Sequence, residues 1–480
     1  MKILFIYKFE YVESLGIMYL SSVLKSRGHQ VYFLDIAFEK DISSEVMKIA
    51  PQVIGYSVTT GKHKFYKELN ASLKKTSSFL SVFGGPHCTF FPEFIKEDGV
   101  DVVIRGEAEF ALLDLIEALE KGKEITKIQN VWVKLDGEIH KNSLRPLVEN
   151  LDSIPFPDRS LTAKYEHYRK MHRRFVISGR GCPYNCSYCF NHSYNKLYSG
   201  LGKVVRKRSV ENVIAELKEV RDNFKPRRFQ FVDDTFIIDK KWTLEFCAAY
   251  KREITIPFMV YLRVNLVTEE IVKALKEAGC VTAVYAIESG DEHIRNKILK
   301  RNISEAEILK ANSIFKKYKI KEFVQNMIGL PDETLEDAYK TLRLNIKCKP
   351  DCTWVSVFQP YPGTDLGQYA VEKGYFNADV NSFNESYFTG STIKMKDIER
   401  LERLQNLFSI TVSFPFLLPL VKFLIKLPLQ IIYKRIWSAH RIWSYFFKKT
   451  GIIDFSEIFI FEKRRGCCQS SLPSSRKIDH

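Results

Sequence analysis

The chain has 480 residues, 45% hydrophobic and 27% charged, with a formal net charge of +16, an ordinary globular composition with length for two or three domains. Ten cysteines, three close together and seven scattered (Cys88, Cys247, Cys280, Cys348, Cys352, Cys467, Cys468), exclude a small secreted disulfide scaffold. The apolar run at 1–7 is too short for a secretory signal, so the expected address is the cytoplasm.

In chain order, apolar runs at 3–7, 31–34, 53–58, 80–83 and 102–104 predict strands, and amphipathic segments such as 15–27 and 110–119 predict helices between them. Alternating strands and helices predict an α/β, doubly wound parallel sheet with ligands beyond the carboxyl ends of its strands. Unusual residues follow those ends: Ser14, Leu15 and Gly16 after the first, Ser57 and Thr59 after the third, Gly84, Gly85 and His87 after the fourth, and Glu107 after the fifth. Paired glycines let backbone approach a bulky ligand, although each element taken singly is more often a tight turn. Asp136-Gly137 between strand-like arms reads as a hairpin. Two prolines among polar residues at 150–158 read as a linker.

The alternation resumes with strands expected at 175–178, 228–232, 259–263, 282–286, 323–328 and 355–358 and helices such as 210–220, 269–278 and 334–346. The expected division is a first domain at 1–145, a linker at 146–170, a second domain at 171–365 and a mainly helical region at 366–480. Near the start of the second domain stand Cys182, Cys186 and Cys189. Thiolates are soft ligands suited to iron-sulfur clusters and zinc. Three of them on a four-iron cluster leave one iron open. His192 offers the other reading, a tetrahedral zinc site that only staples the loop.

Cys-x-x-x-Cys-x-x-Cys with Tyr188 before the last cysteine resembles the signature loop of the radical S-adenosylmethionine superfamily. The resemblance implies a 4Fe-4S cluster on Cys182, Cys186 and Cys189, with S-adenosylmethionine on the open iron. In that family the reduced cluster cleaves S-adenosylmethionine to a 5'-deoxyadenosyl radical, and an electron donor such as flavodoxin or ferredoxin is implied. It also implies a partial (β/α)6 barrel with the site at the strands' carboxyl ends. Tyr188 and Phe190 would flank the cofactor. Asp233 or Asp234 stands where the superfamily usually carries Gly-Gly-Glu toward the methionine amino group, a departure that leaves open which carboxylate acts. Arg263 would meet the methionine carboxylate, Glu288 and Ser289 the ribose, and Asn326, Gly329, Gln359 and Tyr361 the adenine. Read without the resemblance, either aspartate is a helix cap, Arg263 a surface ion pair, and Pro331 and Gly363 turn formers.

Gly84-Gly-Pro-His87 followed by Phe91-Pro-Glu93 resembles the flavodoxin-like, cobalamin-binding domain that precedes the radical barrel in one branch of that superfamily. Cobalamin is thereby implied near Ser14, Leu15, Gly16, Ser57, Thr59, Gly84, Gly85, His87 and Glu107. The Asp-x-His-x-x-Gly stretch that supplies a cobalt ligand in other cobalamin domains is absent after the first strand, so a lower face without histidine is implied. A transfer-RNA methylthiotransferase would need a second cysteine trio in the first domain, which holds only Cys88. The implied activity is an anaerobic, cytoplasmic methyltransferase acting on an unactivated carbon of a small or lipid-soluble substrate, with ring closure or rearrangement as the alternative within the branch. From another class, the alternative is a non-enzymatic zinc or corrinoid-binding protein.

The last ninety residues carry sixteen Lys and Arg against seven Asp and Glu, and 404–450 contains no acidic residue. The uncharged run at 404–421 is interrupted by Pro415 and Pro419 and sits near the roughly 17-residue lower limit for a membrane span, so a transmembrane helix is not expected. One reading is helices packed over the barrel mouth. The other is peripheral contact with the inner face of a membrane, with Trp437, Trp443, Tyr445 and Phe446 at head-group depth and Lys422, Lys426, Lys434, Arg435, Arg441, Lys448 and Lys449 toward anionic lipid. A nucleic-acid partner is not expected.

Overall fold

Strand β1 (Lys2–Tyr7) is apolar along nearly its whole length because a central parallel strand is covered on both faces. Around it β2 (Gln30–Asp35), β3 (Val53–Ser57), β4 (Leu80–Gly84) and β5 (Val102–Ile104) form a parallel sheet in the order β2-β1-β3-β4-β5. The antiparallel pair β6 (Val131–Leu135) and β7 (Glu138–Lys141) extends it. Asp136 and Gly137 at their turn both have positive φ (50° and 81°), which matches the twist of a two-residue hairpin. The computed structural model describes residues 1–9, 12–383 and 390–448, with side chains through residue 444. The strand order reverses between β1 and β3, so a crevice opens beyond their carboxyl ends.

The second sheet contains β8 (Arg173–Val176), then, past the short antiparallel pair β9 (Gly179–Arg180) and β10 (Arg206–Lys207), β11 (Arg228–Phe231), β12 (Phe258–Tyr261), β13 (Cys280–Glu288), β14 (Lys321–Ile328) and β15 (Cys352–Val357). Its six parallel strands lie in sequence order from β8 to β15, the arrangement of a partial barrel. The helices between them begin where the sequence supplies caps. Thr268 accepts the Ile271 N–H, and Ser304 with Glu307 and Thr334 with Asp337 form reciprocal capping boxes.

A buried charge network joins the two halves. The Glu13 carboxylate, on the loop after β1, accepts from Arg159 (2.8 Å), Arg174 (2.7 Å) and the Phe175 N–H (2.9 Å). Arg159 also reaches Glu216 (2.9 Å), which pairs with Arg208. Burial alone would raise the Glu13 carboxyl, but Arg159 and Arg174 overcome it and hold it below the usual carboxylate range.

The helix Ile398–Ser413 covers the exposed edge of β15, where Gln405 and Ser409 donate to the Val355 and Thr353 carbonyls (3.2 and 2.8 Å). An uncovered edge strand leaves such groups unpaired, so the C-terminal helices flank the barrel and do not sit over its mouth, as one reading of the sequence expected. Trp443 is half-buried against His440 and Phe414, and Trp437 stacks with Arg441, so neither indole is a free anchor. The side chains of Tyr445 and Phe446, and all of Lys449, Cys467 and Cys468, lie outside the described residues. Among the described residues no helix is long and apolar enough to cross a membrane.

Candidate active site

The cysteine loop leaves the barrel after β8 and is held by the β9–β10 pair. At Gly181 φ is +86°, and a Cβ there would lie 2.2 Å from the Val204 carbonyl oxygen, so the turn into Cys182 requires glycine. Cys186 is buried and Cys182 and Cys189 are partly so; Cys189 is the N-cap of the helix Phe190–Leu197. Backbone N–H groups of Tyr184 and Asn191 point at Cys182 and Cys189. Arg263 donates to the Cys186 sulfur at 3.5 Å with its guanidinium 3.8 Å from the Tyr184 ring.

Burial raises the Cys182 thiol and pushes Cys189 up to about 12, with Cys186 adding to the cost of ionising both and Cys182 adding to that of Cys189. A cationic metal centre offsets that cost by taking thiolates as ligands. His192 is turned away from the set: its Nε2 lies 3.2 Å from Asp365 Oδ2. Among the described residues no three His, Cys, Asp or Glu side chains converge on a single metal ion. With His192 paired to Asp365 the loop offers three thiols, a donor set that fits a 4Fe-4S cluster with one open iron better than the four-ligand zinc site considered from sequence.

Around the loop lie the residues expected to hold S-adenosylmethionine. Glu288 ends β13 with φ +65°, just after the ladder to β14 shifts register. That strained backbone turns its carboxylate to the Tyr188 hydroxyl, which donates at 2.9 Å. Burial raises the Glu288 carboxyl, opposed by Arg301 and Tyr188. Asp234 accepts from Asn191 (2.8 Å) and stands close enough to Cys182 and Cys189 to disfavour their ionisation. Asp233 instead accepts from Ser178 N–H, Ser178 Oγ and Lys207, which makes it a brace behind the loop.

Gln359 donates to Gly390 O (2.6 Å) while its buried Oε1 has no partner among the described residues. Tyr361 stacks on Phe383 and lies 5.8 Å from the Phe190 ring, and Phe190 meets Phe90 of the first domain at 4.3 Å. Gly329 donates to Glu333 (2.5 Å), and Ser289 is buried with its Oγ closing a turn on Asp291 N–H. Asn326 points into the helical layer, bonded to Asn345, Thr353 and the Trp354 carbonyl, and is not brought to the mouth.

The sequence reading missed Arg301, which donates to Tyr188 Oη (2.5 Å) and lies 3.6 Å from Glu288, because no motif marks it. It also missed Glu333, whose carboxyl is pushed up to about 8 by burial despite bonds from Gly329 and Leu330 N–H. The run Gly329-Leu-Pro-Asp-Glu333 following a predicted strand was the available signal.

The crevice of the first domain encloses a cavity of about 500 Å³. Gly16, Ser57, Gly84, Gly85 and Glu107 line it. A Cβ at Gly16 would meet nothing within 4 Å, and the +91° φ of Gly85 brings backbone to the cavity wall, a cradle fitted to a large planar ligand. Glu107 accepts from Arg180 (3.0 Å) and Arg206 (2.7 Å), which hold its carboxyl down against the burial that would raise it. Four residues expected here are placed elsewhere. Leu15 packs in the core, Ser14 precedes the helix that Gly16 enters, and Thr59 is exposed. His87 is stacked on His63 (4.2 Å) with burial depressing its pKa to about 3, and neither imidazole reaches the cavity. The opposite wall is made by Phe190, Asn191 and Tyr194 of the cluster-loop helix.

A soft-ligand cysteine loop at the mouth of a partial barrel, sharing a wall with the crevice of a doubly wound domain, defines an α/β enzyme with two adjoining cofactor sites. A model of the radical SAM superfamily matches residues 176–344, and a B12 binding domain model matches residues 2–116. An uncharacterized methyltransferase of Pyrococcus horikoshii is 32% identical over 367 residues, 74% of this chain and 78% of the relative. An anaerobic magnesium-protoporphyrin IX monomethyl ester cyclase of Rubrivivax gelatinosus is 25% identical over 82% of this chain and 72% of its own. The fold of TsrM, a radical S-adenosylmethionine methyltransferase from Kitasatospora setae solved with cobalamin and a 4Fe-4S cluster, superposes with a TM-score of 0.66 at 15% identity, covering 78% and 75% of the two chains. The chain belongs to the cobalamin-dependent radical S-adenosylmethionine enzyme family. Its cofactors are a 4Fe-4S cluster, S-adenosylmethionine and cobalamin.

Proposed function

We propose that this enzyme methylates an unactivated carbon of a small or lipid-soluble substrate. The observation that carries the reading is the shared wall: Asn191 lines the cavity of the first domain and donates to Asp234 beside the thiols. A substrate lodged at that wall reaches both cofactors without leaving the protein, so positioning does much of the catalytic work. When bound, the cluster and S-adenosylmethionine supply a hydrogen-abstracting radical, and methylcobalamin supplies the methyl group.

Cys182, Cys186 and Cys189 hold the cluster in this reading, with Arg263 and Arg301 offsetting negative charge around it. Asp234 and Glu288 offer carboxylates to the amino group and ribose, and the unpartnered Gln359 Oε1 accepts from the adenine side. Gly329, Ser289, Tyr188, Phe190 and Tyr361 shape the walls. Gly16, Ser57, Gly84, Gly85 and Glu107 receive the corrin without a histidine beneath it. A flavodoxin or ferredoxin delivers the electron. The cyclase relative favours ring closure as the second reading.

The test uses enzyme purified anaerobically with iron, sulfide and cobalamin. It is incubated with methyl-deuterated S-adenosylmethionine, a flavodoxin reductant and extract of a strain deleted for the gene. A metabolite that gains the labelled methyl only with the wild-type enzyme supports methyl transfer. A product that loses hydrogen and carries no label, with 5'-deoxyadenosine formed, overturns it in favour of cyclisation. Cys186→Ala should lose the absorbance near about 400 nm expected of sulfur-ligated iron, and His192→Ala should keep it.

A further inference from the structure

Among the described residues, six of the nine exposed large hydrophobic side chains fall between Phe416 and Ile432: Phe416, Leu420, Phe423, Leu429, Ile431 and Ile432. Phe416 and Ile431 are 77% and 73% exposed. Phe416, Leu420 and Phe423 recur at i, i+4 and i+7 through the turn Pro415–Leu417 and the helix Leu418–Leu424, the spacing of one helical face. Of the remaining three, Leu429 immediately precedes the helix Gln430–Lys448 and Ile431 and Ile432 lie in its first turn. Tyr433 fixes that corner by donating to the Leu424 carbonyl at 2.7 Å, and Arg403 does so by donating to Ile425 O at 3.1 Å. The apolar face is therefore presented by a braced corner, with Val421, Ile425 and Tyr433 buried on its other side.

Within the segment that forms the face the charges have one sign, and the nearby Glu399 carboxylate is engaged by Arg403 at 2.6 Å. Lys426 lies in the turn and Lys434 and Arg435 follow the last exposed isoleucine, all three exposed, and no carboxylate occurs anywhere in 404–450. A protein-binding face of mixed partners is rimmed by both signs, whereas apolar side chains among cations alone complement an anionic lipid surface, with the hydrophobes in the acyl boundary and the cations at the head groups. We infer that this corner docks the enzyme on the surface of an anionic bilayer. The anchor is the aliphatic and phenylalanine face at 416–432, not the tryptophans, which the fold uses internally. Because the helix Ile398–Ser413 places the corner on the flank of the barrel, docking leaves the mouth and the shared cofactor wall uncovered.

The inference stands apart from the chemistry proposed above, and its test reads membrane association without turnover. Full-length holoenzyme is floated with vesicles of phosphatidylcholine alone or with roughly 30% phosphatidylglycerol, in about 0.1 M and 0.5 M salt. The protein should float with anionic vesicles at low salt, less at high salt and little with neutral vesicles. Phe416→Asp/Phe423→Asp/Ile431→Asp should lower the bound fraction about tenfold with unchanged far-ultraviolet circular dichroism, and Lys426→Glu/Lys434→Glu/Arg435→Glu should remove the preference for anionic lipid. Ile431→Trp should gain fluorescence that brominated acyl chains quench beyond the wild-type level. Absence of flotation, equal flotation of the variants, or flotation with an unquenched Trp at 431 overturns the proposal. In the last case 449–480 or another surface carries the binding. A concentration-dependent dimer lost in the Asp variant assigns the face to a second copy of the chain and overturns it as well.

Discussion

Replacing Glu13 by Gln removes one negative charge from between two buried guanidiniums while keeping the side chain's size. Arg159 retains Glu216 at 2.9 Å, but Arg174 is left with neutral partners, the introduced amide, the Tyr168 and Arg169 carbonyls and the face of the Phe224 ring. A guanidinium 1% exposed, as the Arg174 side chain is, is then a buried charge without a counter-charge. Breaking such a pair from one side costs about 3–5 kcal/mol, whereas removing both partners costs far less. Glu13→Gln should lower the free energy of the first urea transition by that amount, read by circular dichroism at pH 7.5 on anaerobically prepared enzyme. Glu13→Gln/Arg174→Met should recover more than half of the loss. The Glu13 carboxyl lies below its unfolded value in the folded protein, so its contribution is present above the unfolded pKa and is lost as pH falls through the folded one. The gap between wild type and variant should therefore be constant from pH 6 to 8 (roughly, given an ordinary Glu near 4.3) and close in acid. A loss below about 1 kcal/mol, or a double variant no better than the single, would refute the account of the junction.

Three further outcomes follow from the first domain's cavity and the barrel mouth. Gly16→Phe projects a ring into space where a Cβ meets nothing, so the variant should fold with the wild-type circular dichroism and retain no cobalamin; His87→Ala should retain it with an unchanged visible spectrum. Glu333, raised to about 8 by burial, contributes stability that is fully present below its unfolded pKa and lost as pH rises through 8. Urea midpoints compared between pH 5 and 9 should accordingly favour Glu333→Gln increasingly as pH rises, and parallel curves for variant and wild type would count against a buried neutral carboxyl.

Local sequence was sufficient wherever one period or one turn fixes the outcome. The apolar runs of β1 to β5, the Asp136-Gly137 hairpin and the capped helices of the barrel are short-range consequences of side-chain spacing and backbone preference. The cysteine trio was legible for the same reason, since eight residues hold all three thiols. Long-range placement was not. Asp233 and Asp234 are adjacent in sequence, yet one braces Ser178 and Lys207 while the other faces the thiols, because successive side chains leaving a strand point to opposite sides. Asn326 reads as a mouth residue, but its strand turns it into the helical layer. Arg301, eleven residues beyond the Glu–Ser–Gly turn, comes to Tyr188 only when β13 and the cysteine loop are packed together.

The sequence by itself determined the fold class and set three thiols in one loop and paired glycines at a strand end, all properties of contiguous residues. The tertiary structure alone decided that the first domain's cavity is walled by Phe190, Asn191 and Tyr194 of the helix that follows the cysteine loop, that the histidines of the first domain stack on each other away from that cavity, and that the basic C-terminal helices flank the barrel. Each of those outcomes depends on which buried charges and open strand edges must be satisfied by segments distant in the chain, a balance that only closes once both domains are folded against one another.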